Sequence, residues 1–241
     1  MFSTSKSMLK IEEEEKASKK KMIPSPIDSH YKTLCADLSL IDEKTDEYKK
    51  IQQYFEKTKY SGSNQKLIDI WQVNRHGENK RFQKFDYLQN RKLLWHGTNI
   101  AVVAPIITSG LRIMPHSGGR VGSGIYLASM QEKSASYTSG YGSTACMFLC
   151  ESVLGTEFKV TSDGSHASGL RKAPTGSDSV HAVGTITPKS WTSLKIDDKD
   201  VKIPNSPAKE SGVSSSFHHD EHLVYDAAQV RLRYVVTVKM D

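Results

Sequence analysis

Cysteine is scarce in this 241-residue chain: it has three, Cys35, Cys146 and Cys150. An odd and sparse set excludes a disulfide framework. Cys146 and Cys150 fall in the apolar run ACMFLCESVLG, which reads as a strand. There they would share a face ~13 Å apart, too far for a disulfide or for one shared zinc ion. Buried, reduced thiols are the expectation. Long apolar runs are also missing, and no stretch approaches a membrane span. The N-terminus MFSTSKSMLKIEEEEKASKKKM lacks the apolar segment of a secretory signal, so an intracellular, non-secreted protein is expected. With 37% apolar and 25% charged residues the chain reads as soluble and globular. The net charge of +6 permits anionic ligands without specifying one. The basic residues form no dense patch, which argues against nucleic-acid binding by this chain alone.

Residues 1–22, with an EEEE run beside lysines, read as a solvated, disordered tail; Pro24 and Pro26 then mark the start of a folded region from residue 23 to residue 241. Residues 46–59 read as a helix, with Tyr48, Ile51 and Phe55 at helical spacing, acids in the first turn and lysines in the last. KLIDIWQVNR and KLLWHGT read as strands. NIAVVAPIITSG reads as a helix capped by Asn99 and ended by Gly110, with Pro105 an awkward member. Ser129 and Glu132 have the spacing of a capping box opening a helix over MQEKSASY. In QVRLRYVVTVKM, apolar residues from Val230 to Val238 alternate with Arg231, Arg233 and Lys239, as in a half-buried strand. Many short strands, few helices and no regular β-α-β alternation predict an α+β fold with a mainly antiparallel sheet.

Two motifs point to chemistry and fail on inspection. HHDEH contains H-x-x-E-H, a zinc protease signature in which His218 and His222 would ligate the metal and Glu221 would activate water. That motif needs a helix, but β-type LVY follows it, and no Glu or Cys follows His222 as a third ligand. GGRVGSG has closely spaced glycines, but Leu127 stands where a dinucleotide fingerprint needs its third glycine, and a strand follows instead of a helix. A flexible loop beside a ligand cleft is the better reading.

Taken together, KLLWHGT, LRIMPHSGGRVGSGIYLASMQEKSASY and EHLVYDAAQVRLRYVV resemble the catalytic domain of the poly(ADP-ribose) polymerase family, the diphtheria-toxin-like ADP-ribosyltransferases. The His of LWHGT, the Tyr of GIY and the Glu before the final strand occur in the family's order, and the resemblance covers about residues 24–241. LRIMPHSGGRVGSGIY is most like the third, mono-ADP-ribosylating member of the family's DNA-dependent branch. The resemblance implies two mainly antiparallel sheets with flanking helices around an NAD cleft. It implies that His96 bonds the adenosine ribose with Thr98 nearby, and that Gly97 and Ser134 clamp the nicotinamide carboxamide. Tyr126 and Tyr137 would sandwich the ring, Arg112 would lie by the adenosine, and residues 116–122 would border the site. Glu221 would be the catalytic carboxylate, with His96 and Tyr126 completing a triad. The histidines around Glu221 would be incidental, bordering the acceptor side.

The implied activity is NAD-dependent protein ADP-ribosylation with release of nicotinamide, mono- in preference to poly-, using NAD as substrate and no metal or zinc. Implied partners are protein acceptors, the chain itself among them, with nucleic-acid acceptors and DNA-repair or chromatin proteins as extensions, and no membrane. A nuclear location is implied, otherwise a cytoplasmic one. The chain has room for neither the DNA-sensing nor the helical regulatory domain of full-length members of that branch, so constitutive, DNA-independent activity is expected. A rival reading is an NAD or ADP-ribose binding module without turnover; the filled triad argues against it.

Overall fold

A computed structural model of the chain describes residues 26–114, 119–139 and 143–240. The charged N-terminal tail and His116–Gly118 of the glycine loop lie outside the described residues. The chain divides between Leu34 and Cys35. Before that boundary lies helix α1 (Pro26–Thr33), and after it the sheet-based unit.

That unit starts with β1 (Ala36–Leu40), α2 (Asp46–Thr58) and β2 (Lys66–Arg75). The Thr45 hydroxyl caps α2 by accepting from the Tyr48 amide at 3.2 Å, and Ile51, Tyr54 and Phe55 bury one face of the helix. A short helix α3 (Glu78–Phe82) precedes β3 (Arg91–Gly97). The next segment is two elements, not one: a 3-10 turn Ile100–Val102, whose Asn99 side chain accepts from the Ala101 amide, and α4 (Val103–Ser109). Pro105 therefore sits in the first turn of α4, where its missing N–H has no intrahelical acceptor to leave unpaired.

Then follow β4 (Ile125–Ala128), α5 (Gln131–Ala135), β5 (Thr144–Val153), β6 (Glu157–Val160), the single-turn α6 (Ser165–Ser168) and β7 (Ser179–Ala182). The chain closes with β8 (Ile186–Pro188), β9 (Trp191–Ile196), β10 (Lys199–Pro204), β11 (Ala208–Glu210), β12 (Glu221–Val224) and β13 (Val230–Lys239). The strands pair in the order β1-β2-β13-β5-β3-β4-β12-β7-β6, with β10 and β9 branching from β3 and β11–β8 standing apart. All pairings are antiparallel except β10–β3 and β6–β7. This is the α+β architecture expected. The β3–β4 link is one residue pair, Trp95 with Ala128, so the path hinges there into two arms. Trp95, wholly buried against Tyr54 at 5.2 Å between ring centroids, fixes the hinge in the core.

Three expectations are corrected. The capping box does not form: α5 starts after Met130, Ser129 is buried at the strand end without a partner for its hydroxyl, and Glu132 faces His219 at 3.8 Å. Tyr137 lies in the turn beyond α5, its amide donating to the Ser134 carbonyl at 3.1 Å. And β13 is not half-buried, because Arg231 and Arg233 are both buried on its second face. Glu151 on β5 accepts from Arg91 at 2.8 Å and from Arg233 Nε at 2.7 Å, and Asp197 accepts from Arg231 at 2.8 Å. The β13–β5 register shifts between Leu232 and Tyr234. The Leu232 amide donates at 3.2 Å to the buried carboxylate of Glu78. Alternation cannot reveal this face, since arginines are buried only where carboxylates pair them, and those carboxylates lie on other elements.

Candidate active site

The hinge between the two arms builds a cavity of about 360 Å³. Its wall comes from the end of β3 (His96, Gly97), from β4 (Tyr126 to Ala128), from α5 and the following turn (Lys133, Ser134, Tyr137), and from Glu221 at the start of β12. Register explains the convergence. Glu221 pairs with Ala128 and Leu223 with Tyr126, so the Glu221 and Tyr126 side chains lie on one face of the sheet, and His222, paired with Leu127 and His181, lies on the other.

Six of the residues singled out from the sequence line this cavity together: His96, Gly97, Tyr126, Ser134, Tyr137 and Glu221. Thr98 and Arg112 do not; Thr98 follows the lining Gly97, and Arg112 is exposed in the segment after Gly110. His96 Nδ1 lies 3.0 Å from the Tyr126 carbonyl, which can only accept, so Nδ1 carries the proton and Nε2 presents a lone pair. Burial lowers the His96 imidazole below its ordinary value and keeps it neutral, against the opposing pull of that carbonyl. The Tyr126 hydroxyl donates to the Gly122 carbonyl at 2.7 Å and accepts from the Val121 amide at 3.1 Å, tying the glycine turn to the site. Burial, more than the Glu221 charge, pushes this phenol up to about 12, so it stays a donor. Tyr137 is 61% exposed, leaving one ring face open to a ligand.

Close backbone approach is built in at Gly97, where a Cβ would come within 1.8 Å of the Ser134 carbonyl oxygen. Gly97→Ala must therefore separate β3 from α5. A displacement of this size at a positioning group costs about 10²-fold in turnover. The expected result is that loss in the nicotinamide release the resemblance implies, with a thermal transition that is lowered but still cooperative; unchanged release would contradict the packing described.

Sequence reading missed the charged lining residue Lys133, and reached Arg120 and Gly119 only as members of the 116–122 loop expected to border the site. Lys133 Nζ lies 2.5 Å from Glu221 Oε1 and 5.3 Å from the Tyr137 ring centroid, orienting the carboxylate. Burial alone would lower this ammonium, but the hydrogen bond and charge of Glu221 outweigh it and raise it. Its only sequence signal is its place beside Ser134 in a helix assigned to the site. Arg120 donates to Asp163 at 2.8 Å and to the Ser216 carbonyl at 2.9 Å, and lies 4.4 Å from the Phe217 ring centroid. Its loop is expected at the site, but those partners are remote in sequence and cannot be read from it.

The H-x-x-E-H motif is not helical: Glu221 and His222 are neighbours on a strand, pointing to opposite faces. His222 is therefore not on the acceptor side but fully buried behind it, its Nδ1 2.6 Å from Glu157 Oε1, its ring stacked on His181 at 4.4 Å. Burial first, then the Lys92 ammonium, lower the His222 imidazole against the opposing pull of the Glu157 carboxylate. Burial pushes His222 down to about 4 from an ordinary 6.5, and does the same to His219. Burial would raise the Glu157 carboxyl, but His222 and Lys92 hold it well below the usual carboxylate range. A histidine depressed in the folded state stabilises the fold above its unfolded value and loses that contribution as pH falls towards the folded one. The unfolding midpoint is thus expected to drop as pH falls from 6.5 towards 4; a midpoint that rises or holds on calorimetry would show that these imidazoles are not buried neutral.

A family model of the poly(ADP-ribose) polymerase catalytic domain matches residues 45–240. Among curated proteins, the chain is 45% identical over 237 residues to "Protein mono-ADP-ribosyltransferase PARP3" of Mus musculus, covering 95% of this chain and 43% of that protein. It is 46% identical over 230 residues to the Homo sapiens protein of the same name, covering 90% of this chain and 42% of that protein. To "Poly [ADP-ribose] polymerase 1" of Gallus gallus it is 34% identical over 226 residues, covering 90% of this chain and 22% of that protein. The chain thus spans less than half the length of each of these relatives. The family match runs from the cap of α2 through the end of β13 and so takes in every strand that builds the cavity, and on that ground the chain belongs to the poly(ADP-ribose) polymerase catalytic-domain family.

Proposed function

We propose that the chain is an NAD-dependent protein ADP-ribosyltransferase that adds single ADP-ribose units to protein acceptors, itself included, and that residues 23–241 make up its catalytic domain. The observation that carries this reading is the Glu221 carboxylate, held by Lys133 in a cavity that also presents two tyrosine rings and a neutral histidine. Tyr126 and Tyr137 suit a flat pyridinium ring. The Gly97 backbone and the Ser134 hydroxyl suit its carboxamide. His96 Nε2 accepts from a ribose hydroxyl, and Glu221 accepts from the hydroxyls of the other ribose.

As the bond from the anomeric carbon to the nicotinamide nitrogen breaks, its electron pair leaves with neutral nicotinamide and positive charge develops on the sugar. Glu221 stabilises that charge. The acceptor oxygen then bonds to the anomeric carbon, and any proton it carries passes to Glu221 or to water. No metal is needed for these steps. Mono-ADP-ribosylation follows the names of the mouse and human relatives. Nuclear location, DNA-repair or chromatin partners and nucleic-acid acceptors belong to the same reading.

The test is labelled NAD with the purified chain, without DNA. A sharp labelled protein band with nicotinamide release, unchanged by nicked DNA, is expected. A smear would mean polymer. Bound NAD with neither label nor nicotinamide would mean a binding module.

A further inference from the structure

Asp220 and His222 flank Glu221 in sequence and line a second cavity, of about 430 Å³, together with Asn90, Lys92, His181 and Trp191. Glu157, His181 and His222 each offer a ligand atom within 4.8 Å of the others. Asp220 Oδ1 adds a carboxylate oxygen, 3.3 Å from His181 Nε2. That contact is close enough for an ion pair, yet His181 Nε2 has no hydrogen bond. Nor has His222 Nε2, although His222 is wholly buried. A buried ring nitrogen without a partner is costly, and His222 Nε2 is one, beside a His181 Nε2 that faces Asp220.

We infer that this cluster is a zinc-binding site, separate from the ADP-ribosyl transfer chemistry, with His181 Nε2, His222 Nε2 and Asp220 as its donors, and with Glu157, 2.6 Å from His222 Nδ1, fixing that ring from outside the donor set. Two imidazoles select a borderline-soft ion such as Zn²⁺ over Ca²⁺ or Mg²⁺. The Asp220 carboxylate offsets part of its charge, and Glu157 makes His222 the more basic ligand. Lys92 Nζ, 3.1 Å from Glu157 Oε2, orients the carboxylate from outside the donor set. The His181 and His222 rings stack at 24°, so their in-plane lone pairs run nearly parallel and one ring turns when the ion enters. His181, with 15% of its side chain exposed, is the ring with room to turn. The ion would tie β7 to β12 and to Asp220 just before it, with β6 joined through Glu157, and so fix the strand that carries Glu221.

The test uses the full chain, stripped with a chelator and titrated with Zn²⁺ alone. One tightly bound zinc per chain is expected, with a raised unfolding midpoint. Co²⁺ in its place should give the visible bands of a four-coordinate site, a readout that needs no variant. His181→Ala should weaken zinc binding more than about 10-fold and erase the cobalt bands, with His218→Ala leaving both unchanged. No zinc uptake by the wild-type chain, or binding that His218→Ala removes and His181→Ala spares, would overturn the inference.

Discussion

Glu221→Gln is expected to lower transfer of labelled ADP-ribose by roughly 10²–10³-fold, the usual cost of removing one preorganised group that meets transition-state charge, while NAD still binds. The amide keeps the shape of the carboxylate and a hydrogen-bonding oxygen but not the charge. The proposed ring clamp, the Gly97–Ser134 approach and His96 stand on other strands, on α5 and in the turn after it, so NAD binding is not expected to depend on the missing charge. Loss of the charge also frees Lys133, whose partner at 2.5 Å it was. The variant should therefore fail in turnover with KM for NAD within a few-fold of wild type. Transfer at the wild-type rate would remove Glu221 from the mechanism. A variant that no longer binds NAD would recast the residue as part of the binding wall.

Glu151→Ala is expected to have the largest effect on stability. Glu151 is wholly buried on β5, between β3 and β13, and receives Arg91 Nη1 at 2.8 Å and Arg233 Nε at 2.7 Å. Removing the carboxylate takes from both guanidiniums their buried partner and leaves Arg91 to the partly exposed Asp86 at 2.6 Å and Arg233 to Asp197 at 2.8 Å, a change that costs about 3 kcal/mol. Chemical denaturation should show the midpoint falling with an unchanged slope. Replacing all three residues by apolar ones of similar volume should recover much of the loss, since the penalty comes from uncompensated charge and not from the absence of an ion pair. A cost below about 1 kcal/mol, the range of surface pairs, would mean that water reaches this cluster.

The sequence carries the local parts of this molecule well and the cross-strand parts poorly. The ten residues of β2 and the span of α2 follow from alternation, helical spacing and charged ends, all signals within one element. Motif and family resemblance single out Glu221, Tyr126 and His96, which line one cavity, and the register of β12 on β4 gives the physical reason that the first two share a face. What escaped depends on partners far along the chain. Arg231 and Arg233 look like the wet face of a strand until Asp197 and Glu151 cover them. His222 looks like part of a zinc protease motif until β7 brings His181 against it. Lys133 carries no mark beyond its charge; only the fold sets it against Glu221. The Ser129–Glu132 spacing misled because the strand end, buried under Tyr54, takes Ser129 away from the helix.

The most direct test of the account is the intact mass of the purified chain after incubation with NAD, read together with nicotinamide in solution. The account predicts single ADP-ribose additions matched by an equal amount of nicotinamide, and neither for Glu221→Gln. A chain that binds NAD, keeps its mass and releases no nicotinamide would contradict it.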